Sequence, residues 1–263
     1  MRALVTGGSQ GIGGAVCRRL VADAVMRGDS PSIVLTVRRL RPDVEALAGD
    51  LRDMGARVLA LEAELSDPDT PARVVASAVD FAGGLDALVS NAGLMGSGGP
   101  LAALDPADWE RVFAVNARAP WLLAKAALPA LAAAGGAMVA VASMSGVHPH
   151  PNAGAYAASK AALIMLCRQL AQEWGPQGVR VNVVSPGMTR TPLTEHIYAN
   201  ADVARRRASL VPLQRVADPA DVAEAVAFLL RAAHVTGENL TVDGGFSSSI
   251  LAHMPGLPKP GGA

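Results

Sequence analysis

Cysteine is nearly missing from this chain: Cys17 and Cys167 are the only two among 263 residues. They lie far apart, each in an apolar helical pattern, which excludes a disulfide framework and a cysteine metal pair. They read instead as reduced core residues of a cytoplasmic protein, and no metal is expected. An excess of one charge is missing too, with 23 basic against 23 acidic residues. A chain of zero net charge has no electrostatic field for gathering nucleic acid. The Ala/Leu-rich stretch from Ala117 to Ala134 is interrupted by Arg118, Pro120, Lys125 and Pro129. Those interruptions make it a poor membrane span and a good buried helix. Met1 and Arg2 run straight into a strand-like segment, which leaves no room for a signal peptide. Internal repeats, coiled-coil heptads and a second-domain boundary are also lacking. Aromatics contribute only 3 % of the residues, while half the chain is hydrophobic, mostly Ala, Val and Leu. The length suits one domain with a large core.

What is present is a regular alternation of strand and helix patterns. Ala3-Leu4-Val5 is a short apolar strand, followed by the glycine turn Thr6-Gly7-Gly8-Ser9-Gln10-Gly11-Ile12-Gly13 and a periodic helix to about Met26. Such a turn lets backbone N–H groups and the helix dipole meet a pyrophosphate; a tight connection without a ligand is the plainer reading. A second strand spans Ser32 to Val37, a helix Asp43 to Met54, and a third strand Arg57 to Leu61. Ser66-Asp67-Pro68 then offers capping chemistry for a helix to about Phe81. Asp86 to Ser90 is a fourth strand, one long helix is expected over Pro106 to Ala133, and Ala137 to Ala142 is a fifth strand delivering Ser143. The alternation predicts an α/β fold, a doubly wound parallel sheet of Rossmann type with helices on both faces and ligands at the strands' carboxyl ends.

Two local patterns carry chemistry. The second strand ends in Val37-Arg38-Arg39, without the carboxylate that would hold an adenosine ribose. Two guanidiniums there favour a 2′-phosphate, and so NADP(H) over NAD(H); an exposed basic strand end is the alternative. Tyr156 and Lys160, four residues apart in a helix pattern, present a phenol and an ammonium to one spot. A cation close by lowers a phenol's pKa from its usual value of about 10, and reaching about 7 takes roughly 4 kcal/mol. Acid–base work is most efficient when the pKa lies near the operating pH. Asn116, mid-helix in an apolar stretch, must find polar partners.

In order along the chain, these motifs resemble the short-chain dehydrogenase/reductase family, in its single-domain branch near 3-oxoacyl-carrier-protein reductase and glucose dehydrogenase. The family's T-G-x-x-x-G-x-G falls on Thr6 to Gly13, its N-A-G on Asn91-Ala92-Gly93, and its P-G-x-x-x-T on Pro186 to Thr191. The resemblance runs from Ala3 to about Ser247. It implies a unit over residues 1–250 with a substrate lid at about 189–212, followed by an irregular tail, 251–263.

The resemblance also implies roles. Tyr156 would be the general acid or base, and Ser143 would steady the substrate oxygen. Lys160 would lower the tyrosine pKa and hold the nicotinamide ribose, and Asn116 would hold a relay water. Ser145 is a rival serine whose spacing to Tyr156 fits less well. Gly7, Ser9, Gln10, Gly11, Ile12, Gly13, Asn91, Ala92 and Gly93 would line the dinucleotide, with Arg38 and Arg39 at its phosphate. Glu64 and Leu65 would lie by the adenine, although an aspartate is usual at Glu64. Pro186, Gly187, Met188, Thr189 and Thr191 would hold the carboxamide.

The implied reaction is NADP(H)-dependent hydride transfer between a small carbonyl compound and its alcohol. NAD-dependent oxidation of a sugar or alcohol, and a silent dinucleotide-binding scaffold, are the alternatives. The His148-Pro-His-Pro-Asn152 loop reads as a substrate contact or a stiff surface turn. Arg205-Arg206-Arg207 reads as a solvated helix face or an acid-recognition patch. Trp121, Leu122, Ala126 and Leu128, with Leu163, Met165, Leu166 and Leu170, leave two helices apolar nearly all round. That predicts pairing with a second copy, and in this family a homotetramer.

Overall fold

The computed structural model describes residues 1–249; the tail expected over residues 251–263 lies outside the described residues. Seven strands form one parallel sheet: β1 (Arg2–Thr6), β2 (Ser32–Val37), β3 (Arg57–Glu62), β4 (Ala87–Ser90), β5 (Ala137–Val141), β6 (Arg180–Pro186) and β7 (Asn239–Val242). Their spatial order is β3-β2-β1-β4-β5-β6-β7. The order reverses between β1 and β4, and the crevice outside the carboxyl ends at such a point is where this architecture binds ligands.

Side chains alternate across each strand, so every strand feeds two cores. Val5, Leu35, Val89 and Val139 pack against α1 (Gly11–Met26), α2 (Pro42–Asp53) and α9 (Pro219–Arg231). Leu4, Val34, Leu88 and Met138 face the other way, toward α3 (Thr70–Ala82), α5 (Ala119–Ala134) and α6 (Tyr156–Trp174). Strands covered on both faces must be apolar throughout. Cys17 and Cys167 are buried free thiols, one in each core. No helix among the described residues is long and apolar enough to cross a membrane.

Three sequence expectations need correction. The helix expected over Pro106 to Ala133 is two helices, α4 (Pro106–Phe113) and α5, joined by a π-helical turn over Ala114–Arg118. In that turn the N–H of Ala119 reaches the carbonyl of Ala114, five residues back. Pro120 supplies the reason: it has no N–H for the carbonyl of Asn116, and its ring would crowd that carbonyl in a regular helix. Widening the turn relieves the clash, and π turns of this kind recur at functional sites. The helix expected from Ser66 begins instead at Thr70, because Asp67 takes up the N–H of Asp69 at 3.0 Å and the hydroxyl of Thr70 at 2.8 Å. Lastly, Leu163 and Leu170, expected on an outer face, are 1 % and 4 % exposed and belong to the core. On α5 and α6 it is Trp121 and Met165 that stand out, at 43 % and 60 %.

Between β6 and α9 the chain forms two short helices, α7 (Glu195–Tyr198) and α8 (Ala201–Ser209). A bridge between Thr189 and Ala217 closes the base of that excursion.

Candidate active site

The two turns flanking the reversal of strand order are stitched together. Thr6 Oγ1 accepts from the N–H groups of Asn91 at 3.0 Å and Ala92 at 3.1 Å. Asn91 Nδ2 returns two bonds, to the carbonyls of Thr6 and Gly7, both at 3.0 Å. Gly7 takes the left-handed backbone, φ +62°, which glycine adopts without strain. Gly13 permits the closest approach: a Cβ there would sit 2.1 Å from the Gly7 carbonyl oxygen and 2.6 Å from Asn91 Nδ2. The N-terminus of α1 therefore rests directly on the turn.

These residues fit a dinucleotide. Gln10, at the helix N-cap, makes no side-chain cap, and the first turn of α1 carries no acid. The first backbone N–H groups, which no helix satisfies internally, remain for an anion. Thr191 and Pro192 lie over the same turn, 3.4 Å from where a Gly11 Cβ would be. Met188 and Arg190 are held by backbone bonds to Ala217, and Gly187 by one to Val242.

At the ends of β2 and β3 a cleft of about 350 Å³ is lined by Arg38, Glu62, Glu64, Asp67, Thr70 and Arg73, among others. Arg38 and Arg39 are both exposed, and Arg39 enters no hydrogen bond or ion pair among the described residues. The Glu64 carboxylate is already occupied: it accepts from the hydroxyl of Ser66 at 2.8 Å and its N–H at 3.1 Å. Those bonds, with a smaller contribution from Arg38, hold its pKa below the usual carboxylate value. Leu65 beside it points into the core at 7 % exposure.

Ser143 follows β5 in extended backbone, and its Oγ accepts the N–H of Ser145 at 3.1 Å. That leaves the Ser143 proton to donate to the Tyr156 phenol. The rival, Ser145, spends its own hydroxyl on His150 Nδ1 at 3.0 Å, which ties the His148–Asn152 loop back to this edge.

Tyr156 opens α6 and Lys160 lies one turn on, buried at 3 % exposure. The Lys160 ammonium donates to the Val141 carbonyl at 2.8 Å and stands 5.8 Å from the centre of the Tyr156 ring. A Cβ on Gly93 would lie 3.3 Å from that ammonium and 3.5 Å from Asn116 Oδ1. Lys160 and Asn116 thus meet at the Asn91–Gly93 turn, with Tyr156 beside Lys160.

Electrostatics here departs from the expectation. Burial raises the Tyr156 phenol above its ordinary pKa, opposed only in part by a hydrogen bond from Ser143. The lowering expected from Lys160 is not among these contributions. Burial lowers Lys160 itself to about 8.

The Asn116 side chain is held on two sides. Its Oδ1 accepts the Leu94 N–H and its Nδ2 donates to the Leu94 carbonyl, both at 2.8 Å, and also to Ser159 Oγ at 3.0 Å. With both amide protons spent, the side chain is a brace between the β4 turn and α6. Ser159, which in turn donates to the Tyr156 carbonyl at 2.7 Å, completes that brace and was not singled out from the sequence. Its place between Tyr156 and Lys160 was the available signal.

A glycine turn open to an anion, joined to a Ser–Tyr–Lys constellation on a reversing parallel sheet, defines a nicotinamide-dependent oxidoreductase. Comparison with known proteins agrees: a family model described as Enoyl-(Acyl carrier protein) reductase matches residues 7–247. The chain belongs to the short-chain dehydrogenase/reductase family, enzymes that interconvert CH–OH and C=O with a nicotinamide dinucleotide.

Among individual proteins, cis-4-hydroxycyclohexanecarboxylate dehydrogenase of Sinomonas cyclohexanicum is 38 % identical over 251 residues, 94 % of this chain and 96 % of the relative. A Burkholderia cenocepacia short-chain dehydrogenase solved with NADP is 35 % identical, with a TM-score of 0.84 over 94 % of this chain and 97 % of that one. A blue fluorescent protein from a metagenomic library, solved with NADPH, is 33 % identical, with a TM-score of 0.83 over 93 % and 97 %.

The buried Lys160 makes a prediction about stability. Its folded pKa of about 8 lies below the unfolded value of 10.5, so between these the unfolded chain binds more protons. Stability contributed by this group therefore rises as pH climbs from about 8 to 10.5 and is lowest at neutral pH. Lys160→Met should gain about 2 kcal/mol at pH 7, the relief of a buried charge less one lost hydrogen bond. The gain should shrink by pH 10, as read from urea unfolding at both pH values.

Proposed function

We propose that the chain is an NADP(H)-dependent carbonyl reductase in which Tyr156 is the general acid. The observation that supports it most is the linked set of Ser143 bonded to Tyr156, Tyr156 beside Lys160, and Lys160 with Asn116 at the Gly93 turn. Residues 1–250 act as one dinucleotide-binding and catalytic unit, with 189–212 as its lid. When bound, the nicotinamide supplies the hydride, or takes it up in the reverse direction. The glycine turn and the N-terminus of α1 would hold the pyrophosphate, and Arg38 and Arg39 would hold the 2′-phosphate.

The chain's own residues handle the proton and the charge. Burial keeps the Tyr156 phenol protonated at neutral pH, the form a carbonyl reduction needs. The Ser143 hydroxyl, its oxygen fixed by Ser145, donates to the substrate oxygen and stabilises the charge that develops there. Lys160 has three donors; one is held by Val141, and the others serve the ribose hydroxyls and the proton path. Pro120 denies the Asn116 carbonyl its helical donor, which leaves that carbonyl to hold a relay water beside Lys160. The complete Ser–Tyr–Lys set speaks against a silent scaffold. The two buried thiols suit a reducing compartment, and the cytoplasm is the proposed location.

Assembly follows from Trp121 and Met165, exposed on the adjacent helices α5 and α6 with half-buried Leu122, Leu128 and Leu166 around them. A two-fold pairing through these helices, repeated into a tetramer, is the proposed state.

Tyr156→Phe should abolish reduction of 4-oxocyclohexanecarboxylate, 3-oxoacyl thioesters and sugar ketones alike, while NADPH binding measured by fluorescence stays within about twofold; retained turnover above a few per cent would remove Tyr156 from the role. Arg38→Ala should weaken NADPH about ten- to a hundredfold, the equivalent of roughly 1.5–3 kcal/mol, and leave NADH nearly unchanged. Equal losses would sink the phosphate contact. Light scattering at micromolar concentration should give a tetrameric mass; a monomer would refute the helix pairing, and a dimer only its repetition.

A further inference from the structure

One cluster between β6 and α9 plays no part in the chemistry above. Along residues 191–210 Tyr198 is the single buried residue, at 4 % exposure, and α8 contributes no buried side chain. Tyr198 is therefore the anchor of that excursion. Its phenol oxygen is buried with no hydrogen-bond partner among the described residues. Such a group is costly, and folded proteins seldom keep one without cause.

Two guanidiniums attend the same ring, Arg190 at 5.5 Å and Arg207 at 5.7 Å from its centre. Each is attracted by the ring, yet the two repel each other. Glu195 lies 3.7 Å from Arg190 and opposes its charge, and Arg190 also donates to the Tyr198 carbonyl at 3.5 Å. Arg205 is already spent on Asp202, whereas Arg207 has no carboxylate partner among the described residues. A surplus of positive charge thus lies against the ring that carries an unpartnered hydroxyl.

We infer that Arg190, Tyr198 and Arg207 form a recognition site for a carboxylate carried by the substrate. The inference rests on the carbonyl-reductase reading of Ser143 and Tyr156. The placement suits it: Val141 pairs with Val184 in the β5–β6 register, so Ser143 and Pro186 stand level at the sheet's carboxyl edge. Arg190 follows Pro186 by four residues, at most about 14 Å of extended chain. A guanidinium offers paired donors matched to a carboxylate, and the phenol adds another. Binding gives Tyr198 its missing acceptor and neutralises the surplus charge, which draws the segment it anchors over the substrate.

The test compares 4-oxocyclohexanecarboxylate with its uncharged methyl ester. The wild-type protein should prefer the acid by about tenfold or more in kcat/KM. Arg207→Gln should lose most of that preference, and Arg207→Lys should recover part of it. Tyr198→Phe should lower the preference about threefold or more while raising the melting temperature of the ligand-free protein, a combination that a purely structural hydroxyl would not give. Calorimetric titration with cyclohexanecarboxylate and with cyclohexanecarboxamide reads the site without turnover. The acid should bind, the amide should bind more weakly, and Arg207→Gln should remove the difference. Equal handling of acid and ester, no binding of the acid, or acid binding that survives Arg207→Gln overturns the inference. Acid binding that depends on Arg207, without turnover of either ketone, overturns the reductase reading alone. A preference for a ketone bearing a phosphate ester over the acid overturns the carboxylate assignment.

Discussion

A parallel sheet covered on both faces admits almost no polar side chain along its strands, and the rest of this molecule follows from that constraint. Val5, Leu35, Val89 and Val139 on one side, with Leu4, Val34, Leu88 and Met138 on the other, leave no room for chemistry inside the sheet. Polar groups collect where the strands end, and in a parallel sheet every carboxyl end lies on the same edge. Thr6, Asn91, Ser143 and Pro186, far apart in sequence, reach that edge together because β1, β4, β5 and β6 are neighbours.

At that edge, burial decides the electrostatics. Lys160 is an ammonium with almost no contact with water, anchored on one main-chain carbonyl. The same dryness that depresses its pKa raises that of Tyr156. The phenol is thereby kept as an acid, and the amine becomes the easier of the two to deprotonate. Asn116 and Ser159 hold the geometry: one amide, placed by a π turn, ties the β4 turn to the helix that carries both groups.

Much of this was legible in the residues. The strand–turn–helix alternation and the glycine turn are local patterns, and local sterics dictate them. Gly13 had to be glycine because of an approach to Gly7 that the motif already encodes. The end of α4 was not legible: Pro120 announced a break, but a regular helix with a proline kink and a π turn share the same sequence pattern. The outer face of α6 was not legible at Leu163 and Leu170 because that helix is apolar nearly all round. Periodicity cannot say which of two apolar stripes meets the sheet. Likewise Arg205, Arg206 and Arg207 look equivalent in the chain; folding spends the first on Asp202 and turns the last onto Tyr198.

By itself, then, the sequence determined the family and the strand order's ingredients, because each depends on residues close together in the chain or on a fixed motif. Only the tertiary structure decided the direction of the Tyr156 pKa, the saturation of the Asn116 amide, the occupation of Glu64 by Ser66 and the pairing of two arginines on one buried phenol. Those depend on desolvation and on partners brought from distant segments. Neither exists until the two cores have closed around the sheet.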